Sequence, residues 1–345
     1  MIFEKVPTVP TAEELLDKSF RRATRAKRGK RILDRDSKLQ AEESMLLTAA
    51  NILSDNLISV VRKFPSFDQF DEPADKEQIS GSPKFDESVK KEQITLDSSK
   101  MPPFYRELAD ILVGVEEMKM NLASVQWAGN KIHEMARKYV GMMRDAEDAK
   151  VVRKQAFGRI SSIINSIDGN LRFLNEARNK LKKLPDIGEG PAIVVAGYPN
   201  VGKSSFVALV SSARPEIAPY PFTTKGLAVG HFTRDNIRYQ VIDTPGLLDR
   251  PLEERNEIEL QAISALKHVG KAVLYIIDPS ETCGYTLDKQ MHLLEEIKKE
   301  FMVPVLVAAN KIDISAPAEG VDMSMSTLTG EGVKEVLERL MGMLG

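Results

Sequence analysis

The segment GYPNVGKS, residues 197–204, constrains the fold of this chain more than any other feature. It fits the pattern G-x-x-x-x-G-K-[ST], follows the β-rich run AIVVA at 192–196 and precedes a helix-like run. The glycines allow backbone N–H groups to turn inward around phosphate oxygens, and the N-terminus of the following helix adds a favourable dipole. We therefore predict a phosphate-binding loop in which Lys203 reaches the β- and γ-phosphates and Ser204 ligates Mg²⁺.

The region that contains this loop alternates short apolar runs with helical patterns. Runs rich in β-forming residues predict strands at 192–196, 239–242, 272–277 and 303–308. Helical patterns between most of these runs favour a mostly parallel sheet with helices on both faces. We therefore expect an α/β domain over residues 192–345.

The segment NKID at 310–313 indicates which base is bound. It follows the last long apolar run, and ligands bind at the carboxyl edge of parallel sheets. The Asp313 carboxylate can accept hydrogen bonds from N1–H and the exocyclic amine of guanine, whereas adenine offers no such pair of donors. The order of the segments therefore predicts a guanine nucleotide, with SMSTLTG at 324–330 covering the base.

Two segments between the phosphate loop and NKID are expected to contact the metal and the γ-phosphate. DTPG at 243–246 ends a predicted strand, so we expect Asp243 to hold Mg²⁺ through water and the Gly246 N–H to meet the γ-phosphate. PFTT at 221–224 is irregular and offers its hydroxyls to Mg²⁺.

Residues 1–184 predict an all-α helical-bundle domain, joined to the α/β domain by a hinge at 185–191. Thr11 and Glu14 form a capping box, and residues 38–63 predict an amphipathic helix. An apolar seam favours a bundle packing face over a coiled coil. The seam residues are Ile160, Ile164, Ile167, Leu171, Leu174 and Leu181. Residues 66–100 are polar, contain a small internal duplication, and predict a solvated and disordered insertion.

A basic run lies in the predicted helical domain. Residues 18–38 contain ten Lys and Arg against two Asp, an excess of +8 in a chain whose formal net charge is −2. Such a run is either a solvated helix face or a contact for nucleic acid, and its density in a balanced chain makes the two about equally favoured.

The overall composition excludes several classes of protein. The chain has 345 residues, of which 42% are hydrophobic and 28% charged, which is typical of a globular protein with two domains. The single cysteine, Cys283, excludes a disulfide framework and a multi-cysteine metal site. The acidic, proline-containing start is unlike a signal peptide, and no uninterrupted apolar stretch is long enough to span a membrane. We therefore expect a cytoplasmic protein.

These segments, in this order, resemble the five G motifs of P-loop GTPases. Those at 197–205, 220–226, 243–247 and 310–313 are similar to the Obg branch of translation-factor GTPases. Other segments resemble the nucleolar GTP-binding protein family, in its short archaeal-type form. They are VGH at 229–231, PLEERN at 251–256, CGY at 283–285, PTVPT at 7–11 and the Gly158–Arg159 pair.

The resemblance implies GTP hydrolysis coupled to assembly of the large ribosomal subunit, with the helical domain contacting rRNA. It implies GTP, GDP and a large-subunit precursor as partners, Mg²⁺ as cofactor, a monomer, and no contact with DNA or membrane. We expect a slow intrinsic rate, because Leu247 stands where small GTPases have a glutamine that orients the attacking water. K⁺ is a second candidate cofactor, because in related GTPases an Asn at the position of Asn200 helps bind that ion.

The candidate site residues fall into four groups. The catalytic candidates are Lys203, Thr224, Gly246 and Asn200. The GTP-binding candidates are Gly197, Tyr198, Pro199, Asn200, Val201, Gly202, Lys203, Ser204, Ser205, Thr223, Thr224, Asp243, Gly246, Asn310, Lys311, Asp313, Ser326 and Thr327. The metal ligands are Ser204, Thr224 and Asp243. The RNA-binding candidates are Arg21, Arg22, Arg25, Lys27, Arg28, Lys30 and Arg31.

Two other classes of function fit part of the pattern. A GTP-gated protein-interaction module would use the helical domain to bind a protein or a membrane rather than RNA. A P-loop kinase fits less well, because N-K-x-D and D-x-x-G serve guanine binding and γ-phosphate sensing. A steep salt dependence of RNA binding would distinguish the RNA-binding function from the protein-binding one.

Overall fold

The computed structural model describes residues 3–28, 34–65, 101–187, 190–218, 220, 226–315 and 319–344. The predicted insertion at 66–100 lies outside these residues. The chain divides into two compact units, one of residues 1–101 and 113–182, the other of residues 102–112 and 183–345. The predicted helical domain, residues 1–184, includes residues 102–112. In the structure these residues pack with the second unit instead.

Helices make up the described part of the chain up to residue 187. They are α1 (Ala12–Arg28), α2 (Arg35–Lys63), α3 (Pro103–Val113), α4 (Val115–Arg144), α5 (Ala149–Ser166) and α6 (Asp168–Leu181). The predicted capping box begins α1, because the Glu14 carboxylate accepts from the Thr11 N–H at 2.9 Å and the Thr11 hydroxyl accepts from the Glu14 N–H at 3.3 Å.

The central helix of the first unit is α2, which packs against α1, α4 and α5. Asp34 caps its start by accepting from the Ser37 N–H at 2.7 Å, and the helix ends ahead of Pro65. Contrary to the sequence-based expectation, α2 is long and apolar enough to cross a membrane by length and composition. Core helices of soluble proteins also meet these criteria, and 44% of its most apolar window is buried inside the structure.

The apolar seam from Ile160 to Leu181 is buried, but two helices carry it. α5 ends at Ser166 and α6 starts at Asp168, with Ile167 between them at φ −102° and ψ 8°. All six predicted seam residues are buried. The seam is therefore a bundle packing face, interrupted by one residue that is not helical.

The second unit is built on a seven-stranded sheet with the order β2-β3-β4-β1-β5-β6-β7. The strands are β1 (Ala192–Ala196), β2 (Glu216–Ala218), β3 (Leu227–Arg234), β4 (Ile237–Asp243), β5 (Gly270–Ile277), β6 (Val305–Ala309) and β7 (Met323–Ser324). The pairs β4–β1, β1–β5, β5–β6 and β6–β7 are parallel, whereas β2–β3 and β3–β4 are antiparallel. The predicted mostly parallel sheet is confirmed, with β2 and β3 as additions that the apolar runs did not indicate.

Further helices of this unit are α7 (Lys203–Val210), α8 (Glu257–Lys267), α9 (Leu287–Glu300) and α10 (Val333–Met343), with a 3₁₀ turn at Leu252–Glu254. Tyr105 attaches α3 to this unit, because its hydroxyl donates to the Pro185 carbonyl and accepts from the Ile187 N–H, both at 3.0 Å. The parallel strands β1, β4 and β6 end at one edge of the sheet, so the three segments that follow them emerge side by side.

Candidate nucleotide-binding site

The phosphate loop adopts a backbone that only its glycines allow. Gly197 has φ 134° and Gly202 has φ 106°. A Cβ atom on Gly202 would lie 2.1 Å from Nδ2 of Asn310, so a larger residue would displace Asn310 in addition to straining the backbone. The Lys203 ammonium donates to the carbonyls of Gly197 at 2.7 Å and Tyr198 at 2.8 Å, which closes the loop on itself.

The loop borders a cavity of about 490 Å³. The lining residues are Pro199, Asn200, Gly202, Lys203, Ser204, Ser205, Pro245, Gly246 and Asp249. Asn200 is exposed, with φ 63°, a left-handed conformation that asparagine tolerates better than most residues. The cavity therefore joins the phosphate loop to the segment that begins at Asp243.

Two of the predicted metal ligands are in contact. The Ser204 hydroxyl donates to Oδ2 of Asp243 at 2.5 Å. Asp243 is 1% exposed, and among the described residues its buried Oδ1 atom has no hydrogen-bond partner. Burial raises the pKa of Asp243, and the Ser204 hydrogen bond and the Lys203 charge oppose this only in part. A buried carboxylate with an unpaired oxygen next to a hydroxyl fits Mg²⁺, which takes oxygen ligands and retains several waters.

The other predicted hydroxyls, those of Thr223 and Thr224, lie outside the described residues. Their expected contacts with Mg²⁺ and the γ-phosphate therefore stay predictions.

The NKID segment and the segment that follows β7 form one hydrogen-bond network. Nδ2 of Asn310 donates to the Val201 carbonyl at 2.8 Å and to the Thr327 hydroxyl at 2.9 Å. The Thr327 N–H returns a bond to Oδ1 of Asn310 at 2.8 Å, and the Ser326 hydroxyl donates to Oδ1 of Asp313 at 2.5 Å. The network ties the phosphate loop to the residues predicted to contact the base.

Asp278, which the sequence analysis missed, pairs with Lys311 of the NKID segment. The Lys311 ammonium donates to Oδ2 of Asp278 at 2.6 Å and to the Thr282 hydroxyl at 2.8 Å. Burial alone would raise the pKa of Asp278, but the hydrogen bonds from Lys311 and Ser280 outweigh burial and keep it below its usual value. Asp278 directly follows β5, which pairs with β6, so its position in the sequence could have indicated that it lies beside the NKID segment.

Asp249 and Arg255 were also missed. The Gly246 N–H, which the sequence assigned to the γ-phosphate, donates to Oδ2 of Asp249 at 2.8 Å. Arg255 donates to the Gly246 carbonyl at 2.5 Å and to Oδ1 of Asp249 at 3.1 Å. Leu247, the next residue, is fully buried. Arg255 belongs to the PLEERN segment, which carried a resemblance but no assigned role.

The basic run at 18–38 is not one helix. α1 ends at Arg28 and α2 begins at Arg35, and the residues 29–33 between them lie outside the described part of the chain. Of the RNA-binding candidates, Arg21, Arg22 and Arg25 are exposed on α1, and Arg21 pairs with Asp17 at 2.6 Å. The Arg28 side chain, Lys30 and Arg31 are not among the described groups.

One RNA-binding candidate, Lys27, already pairs with a carboxylate of its own unit. Its ammonium pairs with the Glu42 carboxylate, which is 1% exposed. Glu42 also accepts from Nε of Arg153 at 2.5 Å. Lys27 therefore helps to neutralise a buried carboxylate of the helical unit, and its contact with RNA stays a prediction.

Comparisons with known proteins match both units. The model described as the NOG1 N-terminal helical domain matches residues 3–79 and 97–188, and that of nucleolar GTP-binding protein 1 matches residues 257–313. An uncharacterized protein of Methanocaldococcus jannaschii is 38% identical over 318 residues, 90% of this chain and 81% of that protein.

Eukaryotic relatives are longer. Nucleolar GTP-binding protein 1 of Drosophila melanogaster is 42% identical over 235 residues, 66% of this chain and 36% of that protein. The Saccharomyces cerevisiae protein of the same name is 40% identical over 239 residues, 68% of this chain and 37% of that protein. The chain therefore spans little more than a third of their length. Because family models match both units and the archaeal relative is matched over 81% of its length, this chain belongs to the nucleolar GTP-binding protein 1 family.

Proposed function

We propose that this chain binds and hydrolyses GTP and acts in assembly of the large ribosomal subunit, with its helical unit contacting rRNA. The observation that carries GTP binding is that Asn310 bonds both to the phosphate loop and to Thr327, while the adjacent Ser326 bonds to the carboxylate of Asp313. A cradle for phosphate and an acceptor for the guanine donors thus belong to one arrangement of hydrogen bonds.

The ribosomal setting is supported by the relatives and by charge. The eukaryotic relatives are named as nucleolar and GTP-binding, and the nucleolus is where ribosomal subunits begin their assembly. Exposed arginines on α1, Arg21, Arg22 and Arg25, are suited to RNA phosphates. A cytoplasmic location stays a prediction, because the word nucleolar describes those relatives.

Hydrolysis would depend on positioned donors. Lys203 would turn its ammonium from the loop carbonyls towards the β- and γ-phosphate oxygens, and the Gly246 N–H would donate to the γ-phosphate. Bound Mg²⁺ would neutralise charge on the phosphate oxygens, and Ser204, Asp243 and Thr224 would hold it. The rate would be slow, because the Leu247 side chain cannot orient water.

A GTP-gated protein-interaction module is the second candidate. The observation that favours it is a pair of exposed apolar side chains on α4, Met120 at 70% and Trp127 at 54% exposure. Side chains of this kind are common at protein interfaces.

Fractionation of cell extract with a non-hydrolysable GTP analogue tests the proposal. We expect the chain to migrate with large-subunit precursors in the presence of the analogue, to leave them as salt rises, and to be absent from them in the Lys203→Ala variant. Absence from every ribosomal particle with each nucleotide would contradict the ribosomal role. Association that survives both ribonuclease and high salt would favour the protein-interaction module.

A further inference from the structure

Both the N–H and the carbonyl of Gly246 are hydrogen-bonded to side chains of the same loop. Its N–H donates to Asp249 and its carbonyl accepts from Arg255, while Asp249 and Arg255 also bond to each other. Three residues of one loop thus close a ring of hydrogen bonds around the peptide whose N–H is expected to meet the γ-phosphate.

Arg255 is buried with one donor unused. Its side chain is 0% exposed, and its Nε atom has no hydrogen-bond partner among the described residues. An unsatisfied buried donor is unfavourable, and it indicates that another arrangement of this loop could use it. The NH2 group that already bonds to Asp249 and the unused Nε–H point the same way from a guanidinium, so together they match the two oxygens of one carboxylate.

The Gly246 N–H can serve only one strong acceptor at a time. In this structure the acceptor is the Asp249 carboxylate, an anion with the same hydrogen-bond chemistry as a γ-phosphate oxygen. A diphosphate has no group to compete for this N–H, whereas a triphosphate has. Asp249 therefore opposes triphosphate binding and leaves diphosphate binding unaffected.

We propose that Asp249 is a specificity-determining residue that competes with the γ-phosphate for the Gly246 N–H, and that Arg255 donates to the displaced carboxylate through Nε and NH2. Arg255 is a positioning residue in this scheme, since it acts through Asp249 and the Gly246 carbonyl. The inference rests on the proposed GTP-binding function and adds the means by which the site distinguishes GTP from GDP.

Binding measurements with GDP and with a non-hydrolysable GTP analogue, both with Mg²⁺, test the competition. Asp249→Asn and Asp249→Ala should each tighten binding of the analogue by about tenfold, the value of one charge-assisted hydrogen bond, and leave GDP affinity within about twofold. Glu254→Gln is the matched control, because it removes one exposed negative charge from the same loop without touching Gly246. Equal shifts for both nucleotides, or an equal shift in the control, would overturn the competition.

The role of Arg255 is tested by a double-mutant cycle. Arg255→Lys keeps the charge but cannot pair with both carboxylate oxygens in parallel. It should weaken analogue binding in the wild-type background and much less in the Asp249→Ala background, with no such coupling for GDP. A purely structural role would give the same coupling with either nucleotide and would contradict the inference.

The new contact of Arg255 can also be tested in the wild-type protein, where no substitution can disturb folding. In ¹⁵N–¹H NMR spectra, the Arg255 Nε–H proton should shift downfield with the analogue and not with GDP, because only the analogue gives this buried donor a carboxylate partner. Equal shifts with both nucleotides would overturn the proposal. A wild-type chain that binds neither nucleotide would contradict the proposed function itself, and this inference with it.

Discussion

The Ser204 hydroxyl donates to the Asp243 carboxylate across 39 positions of the sequence. The contact joins the first turn of α7 to the end of β4. Burial raises the pKa of Asp243. An acid with a higher pKa in the folded state than in the unfolded state makes stability fall as the pH rises from the unfolded to the folded value. Burial of the Asp243 carboxyl therefore makes the unliganded fold less stable at neutral pH than it would be at a pH below the ordinary carboxyl pKa.

Asp243→Asn should raise the Tm of the unliganded protein at pH 7, because it removes this buried charge. It should also remove most of the additional Tm increase that Mg²⁺ gives in the presence of GTP. Thermal unfolding with and without Mg²⁺ and nucleotide measures both effects. A lower unliganded Tm with an undiminished Mg²⁺ effect would mean that Asp243 is a structural residue and not a metal ligand.

A second buried carboxylate, Glu42, has the opposite consequence for stability. Burial alone would raise its pKa, but Lys27 and Arg153 outweigh burial and lower it. Its contribution to stability is therefore present above the ordinary carboxyl pKa and is lost as the pH falls through the lowered folded value.

Glu42→Gln should cost the helical unit about 3–5 kcal/mol of unfolding free energy, because two cations lose the carboxylate that neutralises them. Glu43→Gln is the control, since it removes a more exposed pairing with Arg144 and should cost about 1 kcal/mol or less. Urea unfolding followed through Trp127, the single tryptophan of the chain, reports on this unit. Equal costs for the two variants would show that the Glu42 cluster contributes no more than a surface pair.

The sequence predicts those parts of the structure that local chemistry determines. The phosphate loop was identifiable because Gly197 and Gly202 occupy conformations that other residues rarely adopt. The C-terminal end of α2 was predictable from Pro65, whereas its start at Arg35, capped by Asp34, lies three residues before the predicted one. The periodicity of the apolar seam, however, continues through Ile167, so it gave no sign that one helix ends there.

The parts that could not be predicted depend on contacts between distant segments. The hydroxyl of Tyr105 bonds to residues 185–187, which places α3 in the second unit, and no local pattern indicates this partner. In the sequence Lys27 cannot be distinguished from the other basic residues of the run, because its partner Glu42 is 15 residues away. Asp249 and Arg255 lie close in sequence, but only the fold shows that both bond to Gly246.

The K⁺ hypothesis can be tested separately from the backbone role of Asn200. K⁺ should raise the GTPase rate above that in Na⁺ at equal ionic strength, and Asn200→Gly should abolish the difference while preserving the φ of 63°. Asn200→Ala should in addition weaken nucleotide binding, because a left-handed alanine costs about 1–2 kcal/mol. If Asn200→Gly retains the preference for K⁺, the asparagine serves only the loop backbone.

Contact with rRNA should depend on the exposed arginines of α1. The double variant Arg22→Gln and Arg25→Gln should weaken RNA binding and flatten the plot of log affinity against log salt by roughly 0.7–0.9 units per lost phosphate contact. Arg62→Gln with Lys63→Gln is the matched control, because it removes two exposed charges at the far end of α2. Equal slopes for both double variants and the wild type would mean that the basic run is a solvated helix face that does not contact RNA.

The central claim is that this site selects guanine, and Asp313 tests it most directly. In the structure the Ser326 hydroxyl bonds to one oxygen of Asp313. Asp313→Asn replaces an acceptor with an amide, which can accept from N1–H of xanthine and donate to its 2-oxo group. Ser326→Ala is the control, since it removes only the support of the carboxylate and should weaken GTP binding by about tenfold or less.

The deciding measurement is competition between GTP and xanthosine triphosphate for wild-type and Asp313→Asn protein. We predict that the variant binds GTP about 100-fold more weakly, the cost of two hydrogen bonds to a charged acceptor, and prefers xanthosine triphosphate. Unchanged GTP affinity with no gain for xanthosine triphosphate would contradict the assignment of this site to a guanine nucleotide.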